Sequence, residues 1–317
     1  MLERVIVADI VDYLLKNKLL NHQQHGFLAK RSTLTNLLES TFDWILAVDN
    51  RRVEAVIYVD FSKEFDSVCH SKLIAKLTAY GITGNLLSLI AEFLSNRRQW
   101  TTVGNSISGC VNLSSGTVQG SCLGPLLFLI YINDIFTIFD EPITSILYAD
   151  DLKIYTIIDS TQDTDQMQTC LDNLSSWAEA WQLTISIKKC QSIIIGSQPM
   201  LRNTPINANF SINNETLPNV ASVADLGVTI DNNLKFSLHI GKITRKAFAR
   251  SNLILKCFVS RDSATLIKAF TTYVRPLLEY NSPVWSPFLL KDINSLESVQ
   301  RRFTKRMPYM HNNYQLR

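Results

Sequence analysis

The sequence predicts an α+β architecture, and three observations carry the prediction. The chain opens on apolar residues at helical spacing. Its middle alternates short β-branched runs with packed amphipathic helices. Its end is helical and basic. Of its 317 residues, 46% are hydrophobic, enough for a large core and for more than one subdomain.

The elements follow in order. Residues 2–20 carry Leu2, Val5, Ile6, Ile10, Tyr13 and Leu14 at helical intervals, and 33–49 repeat that pattern. Residues 54–61, EAVIYVDF, form a β-branched run of strand length. Residues 70–81 read as a short helix closed by Gly81, and 84–96 as another helix. Residues 99–120 are rich in turn formers and predict a hairpin followed by a loop. Pro125 opens an almost wholly apolar segment that belongs inside a core as a helix. Residues 143–157 predict strand, turn, strand, and 164–183 an amphipathic helix. Two further strand-bearing stretches, TISIKKCQSIIIG and ADLGVTIDNNLKF, precede the helical end from about residue 239.

Composition excludes several classes. The longest apolar run, LGPLLFLIYI, is half of the ~20 residues that a membrane-spanning helix needs. The N-terminus carries acids among its apolar residues, unlike a signal peptide. The six cysteines show no metal-ligand spacing, so buried thiols in a reducing, intracellular setting are expected. Net charge is only +3, but its distribution is uneven. From Ile240 to Arg261 six basic residues occur with no acid, and RRFTKRM follows near the end. Such a face suits a polyanion, although most charge runs are solvated helix faces and, taken alone, this one reads as such.

Chemistry concentrates in two places. Asp150 and Asp151 interrupt an apolar hairpin, where two like charges repel unless a cation compensates. Alone, the pair reads more readily as turn chemistry, because Asp is common in hairpin turns. Asp60, however, ends a second apolar strand in the same fashion. If that strand lies beside the hairpin, three carboxylates meet at one edge. Oxygen ligands of this kind suit two divalent ions, Mg²⁺ or Mn²⁺, in nucleotidyl transfer.

Five blocks in order, YVDFSKEFDSV, SSGTVQGSCLGPLLFLIYINDI, LYADDLKIY, LTISIKKCQSIIIG and ADLGVTIDNNLKF, resemble the reverse transcriptases of non-LTR retrotransposons, on the jockey/CR1 branch of LINE elements. QHGFLAKRST, YVRPLLEYNSPVWSP and VQRRFTKRM extend the likeness over nearly the whole chain. The resemblance implies a right-hand polymerase whose antiparallel palm sheet packs on helices. It divides the chain into partial fingers at 1–52, a palm at 53–238 with finger insertions at roughly 82–110, and a helical basic thumb at 239–317.

The activity it implies is RNA-directed DNA polymerisation. The partners would be an RNA template with a DNA primer and dNTPs, with no membrane and no obligate protein partner. Asp60, Asp150 and Asp151 become the metal-binding catalytic carboxylates, and Lys189 the lysine beside the leaving pyrophosphate. Arg31, Phe61, Phe65, Gln119 and Gly120 become nucleotide-binding residues, with the Phe65 ring placed to clash with a ribose 2′-hydroxyl. Ser121, Leu226, Gly227, Lys242, Arg245 and Lys246 become primer–template residues.

The chain departs from the family pattern at Leu28 (usually Arg), Glu64 (usually Ala) and Val118 (usually Pro). Glu64 adds negative charge beside the Phe65 position. The usual leading fingers strand and endonuclease domain are expected to be missing, as in a shortened copy. These departures define an alternative, a decayed or domesticated nucleic-acid-binding remnant of the same element.

Overall fold

The computed structural model describes residues 2–203, 209–259 and 262–307. Arg261 and the last ten residues lie outside that range. Contacts divide the chain into two units. One comprises residues 1–36 and 46–220, the other 37–45 and 221–317.

Helix α1 (Leu2–Lys16) stops short of the predicted residue 20. Lys18 takes φ +54°, and the Lys18 and Leu19 amides donate back to the Leu15 and Leu14 carbonyls. This is a Schellman stop built on lysine instead of the usual glycine. Helix α2 (Thr33–Asp49) begins at a capping box between Ser32 and Thr35. Strand β1 (Glu54–Val59) is buried on both faces. Helix α3 (His70–Ala79) ends in the same Schellman pattern with Gly81 at φ +84°, as its sequence predicts. Helices α4 (Gly84–Leu94) and α5 (Leu123–Ile132) follow, with the turn-rich hairpin 98–112 between them. Nearly every side chain of α5 is buried, which explains its lack of a polar face.

Strands β2 (Thr144–Tyr148) and β3 (Asp151–Ile157) form the predicted hairpin. Helix α6 (Thr161–Ala180) and strand β4 (Gln191–Ile195) complete the layer pair. The sheet order is β4-β1-β3-β2, antiparallel throughout, so β1 and β3 are central and β2 is an edge. The sheet packs on α5 and α6 through a core that includes Ile57, Phe128, Ile154, Leu171 and Leu174. This is the antiparallel palm-type layer that the sequence implied.

The C-terminal stretch of the second unit begins at Ala221, upstream of the composition shift at 239. A short hairpin, Ser222–Asp225 with Val228–Asp231, belongs with the helices that follow, because the Thr229 amide donates to the buried His239 ring at 3.1 Å. Helices α7 (Ser237–Cys257), α8 (Ser263–Tyr273) and α9 (Leu290–Thr304) bury Ala247, Ile254, Leu266, Phe270, Val299 and Phe303.

Candidate active site

The site forms where two central strands end together. β1 and β3 pair as far as Val59 opposite Leu152, so Asp60 and Asp151, the next residue on each side, stand at the same end of the sheet. The β2–β3 ladder closes at Tyr148 opposite Asp151, leaving Ala149 and Asp150 as a two-residue turn. Ala149 has φ +58°, a position that glycine usually fills in such turns. The predicted pairing of the two strands is therefore present, and all three carboxylates stand at one end of the sheet.

Electrostatics at this end are unbalanced. The Asp150 carboxyl is pushed up to about 7, first by burial, then by the negative charges of Glu64, Asp151 and Asp60. The departure at Glu64 thus falls within electrostatic reach of Asp150. Lys189 answers part of this charge. The Ser186 amide donates to the Asp60 carbonyl at 2.8 Å, and the Lys189 amide donates to the Ser186 carbonyl at 2.8 Å. That turn aims the lysine at Asp60, with Nζ 3.0 and 3.3 Å from its two carboxylate oxygens. The hydrogen bond to Asp60 raises the Lys189 pKa, so the group stays charged.

Whether these residues fit a metal has two answers. Their donors are hard oxygens carrying uncompensated charge, which is the chemistry Mg²⁺ or Mn²⁺ requires. Among the described residues, however, no group of three His, Cys, Asp or Glu side chains stands ready to hold an ion. The strands bring Asp60, Asp150 and Asp151 to one end of the sheet, while their side chains stand apart. Asp60 turns to Lys189, Asp150 is half-buried and Asp151 is exposed, as mutual repulsion favours.

The expected nucleotide residues divide. Phe61 is buried, pairs with Ile185, and sets its ring 6.4 Å from Trp177 in the core. Its side chain is therefore not brought to the site, which corrects the expectation. Phe65 is half-buried, its ring centre 4.6 Å from tilted Phe128 and 6.2 Å from edge-on Phe27. Gln119 is exposed and donates to Asp66 at 3.0 Å, and Gly120 at φ +82° faces open space. The hydroxyl of Ser121 is spent on backbone, donating to the Val118 carbonyl at 2.7 Å and accepting from Gly124 at 2.9 Å. Arg31 lies 3.3 Å from His25 Nε2 in the loop before α2. His25 is buried and held at about 4, first by burial, then by the Arg31 charge.

In the second unit, Leu226 and Gly227 form the tip of the 222–231 hairpin, both at positive φ. The Tyr280 hydroxyl donates to the Leu226 carbonyl at 3.1 Å. Lys242, Arg245 and Lys246 share the exposed face of α7, opposite buried Ile243, Thr244 and Ala247.

Sequence reasoning missed residues that brace this centre. The Glu3 carboxylate accepts from the Cys122 and Leu123 amides at 2.8 and 3.3 Å, capping α5. Gln24 and Asn36 bond to the backbone of the 147–149 segment. Their partners lie more than a hundred residues away, so no local signal marks them.

An antiparallel sheet packed on two helices, with three aspartates at one end, is the arrangement that the resemblance led one to expect of a polymerase palm. Residues 1–230 match the family described as "Reverse transcriptase (RNA-dependent DNA polymerase)", and the chain belongs to that family. Polymerases of this family generally use divalent metal ions. Among curated relatives, the chain is 25% identical over 95% of its length to the probable RNA-directed DNA polymerase from transposon BS of Drosophila melanogaster. It is 24% identical over 96% to the RNA-directed DNA polymerase from mobile element jockey of the same fly. It covers 34% of each relative, so it spans about a third of their length. Its fold is similar to apo telomerase from Candida tropicalis, with TM-score 0.51 and 9% identity over 96% of this chain and 54% of that one. No helix among the described residues is long and apolar enough to cross a membrane.

Proposed function

We propose that this chain is the polymerase core of a non-LTR retrotransposon reverse transcriptase, extending a DNA primer on an RNA template with dNTPs. The observation that carries the reading is the register of β1 and β3, which brings Asp60 beside the Asp150–Asp151 turn with Lys189 against it.

Asp60, Asp150 and Asp151 would hold the divalent ions. When bound, Mg²⁺ lowers the pKa of the primer 3′-hydroxyl and neutralises charge on the triphosphate. The protein's own groups orient and exclude. Lys189, kept protonated by Asp60, supplies a cation and a transferable proton for the leaving pyrophosphate. Phe65 is fixed by Phe128 and Phe27, so its ring cannot swing aside for a 2′-hydroxyl. Gly120 leaves room in front of its backbone for a base pair, and Arg31 offers a guanidinium to triphosphate oxygens. The α7 face of Lys242, Arg245 and Lys246 would meet template–primer phosphates.

The test is extension of oligo(dT) on poly(rA) with dTTP and Mg²⁺, alongside Asp150→Asn. The reading expects extension by the parent chain and its loss in the variant. Equal extension by both, or none by either, overturns it.

A further inference from the structure

We infer that Gln24 is a positioning residue: its buried side-chain amide clamps the backbone of Ala149 and so fixes the turn that presents Asp150 and Asp151. The inference rests on the polymerase reading for its consequence, but the clamp itself stands on geometry.

β2 is an edge strand, so its outer side has no ladder partner to hold the turn. The segment 23–26 takes that place. The Leu147 amide donates to the Gln23 carbonyl at 3.0 Å, and the His25 amide donates to the Leu147 carbonyl at 2.8 Å. Asn36 adds a second donor to the same carbonyl at 3.0 Å. Beyond Tyr148 the backbone leaves strand geometry, and here the Gln24 side chain takes over. Its Oε1 accepts from the Ala149 amide at 3.0 Å and from the Gly26 amide at 2.7 Å. Its Nε2 donates to the Ala149 carbonyl at 3.3 Å.

One side chain thus satisfies both backbone groups of a buried residue at φ +58°. A non-glycine residue resists that conformation, and a buried amide without an acceptor is costly. Gln24 offsets both. It is itself buried, so no water competes for the same bonds. Gly26 completes the seat: a Cβ there would meet the Ala149 nitrogen at 2.3 Å, so the loop lies flush against the turn. A one-residue displacement of Ala149 would carry Asp150 away from Asp60 and Asp151.

The experiment compares the full chain with Gln24→Leu and with Gln24→Leu/Ala149→Gly. Glycine reaches positive φ without strain, so the double variant should rebuild the turn without the amide. Hydrogen–deuterium exchange reads the clamp directly. In Gln24→Leu the segment 143–157 should exchange about tenfold faster, as for one lost backbone hydrogen bond, while 54–59 stays protected. Mn²⁺ titration, read without substrate, should show affinity weakened by about tenfold and recovered in the double variant. In primer extension, kcat for dTTP should fall by roughly a hundredfold, with KM within about threefold. Unchanged exchange in 143–157 overturns the clamp. So does loss of protection across the whole sheet, with kcat and KM moving in step with Tm and no recovery in the double variant. If the parent chain extends no primer, the polymerase reading falls, and the exchange and Mn²⁺ arms alone still decide the clamp.

Discussion

Gly26→Ala is the sharpest perturbation that the geometry offers. The added Cβ would stand 2.3 Å from the Ala149 nitrogen, 2.8 Å from its Cα and 3.0 Å from its Cβ. Ordinary contact begins near 3.4 Å, and the first two of these neighbours are backbone, so no side-chain rotation relieves the clash. Loop and turn must separate by about 1 Å, and a displacement of that size near reacting groups costs roughly a hundredfold in rate, or about 2.7 kcal/mol. Forcing extra volume into a packed contact also destabilises the fold by about 1–3 kcal/mol, which lowers Tm by several degrees. The assay is steady-state primer extension on poly(rA)/oligo(dT), with thermal unfolding in parallel. Gly241→Ala is the control. It lies inside α7 with nothing within 4 Å of a new Cβ, so it should leave kcat unchanged and stabilise by about 0.5–1 kcal/mol. If Gly26→Ala keeps kcat within about threefold and leaves Tm unmoved, the loop is not seated on the turn and the reasoning fails.

Three other outcomes follow from the charges. Glu64→Gln removes the first neighbouring charge that holds Asp150 up at about 7, so the acidic limb of the pH–rate profile should move to lower pH and activity at neutral pH should rise; an unmoved limb contradicts this. Asp150→Asn should stabilise the metal-free protein at pH 8. An acid raised from 3.8 to about 7 binds a proton more tightly folded than unfolded, so folding loses stability as pH rises through that window. Discounting for a half-buried group, the gain is about 1–2 kcal/mol, and it should vanish at pH 4; a lower Tm for the variant at pH 8 speaks against the assignment. His239 is buried neutral at about 4, first because of burial, then because of Lys242 and Lys246. An unfolded histidine protonates near 6.5, so stability should be full above pH 7 and decline as pH falls from 6.5 toward 4, by about 3 kcal/mol. Denaturant midpoints followed by tryptophan fluorescence check this, Trp285 lying 5.1 Å from the His239 ring; a flat profile is the contrary result.

The sequence made the sheet and the acidic ends of its strands legible because both obey local rules. Apolar β-branched runs stop at Asp60 and at Asp150, and α5 shows no polar face because nothing about it meets water. Gly81 announced the end of α3, whereas Lys18 gave no notice of the end of α1, since a lysine at positive φ carries no composition signal. Phe61 misled for a different reason. β1 is buried on both faces, so alternation cannot tell which way the next residue points. The chain then changes partner at Asp60, from β3 to residues 184–185, and that switch turns the Phe61 ring inward. Lys189 and Gln24 act across 129 and 125 residues, distances at which only the folded backbone can make the connection.

The two aspartates of the turn are secured by unlike means, and this has a consequence for how the centre works. Asp151 belongs to the β3 ladder and sits opposite Tyr148, so its backbone is held by the last rung of the hairpin. Asp150 belongs to the turn and depends on Ala149, whose conformation is held by a side chain from the segment before α2. Asp60 follows directly on β1, but its carboxylate is held by a lysine from the turn before β4. The three carboxylates therefore answer to three different supports, of which only the sheet is rigid by itself. Moving Lys189 or the 23–26 segment would alter the spacing of the carboxylates without unfolding the palm. A centre of this construction can be tuned, or disabled, from outside its three carboxylates while the sheet beneath stays intact.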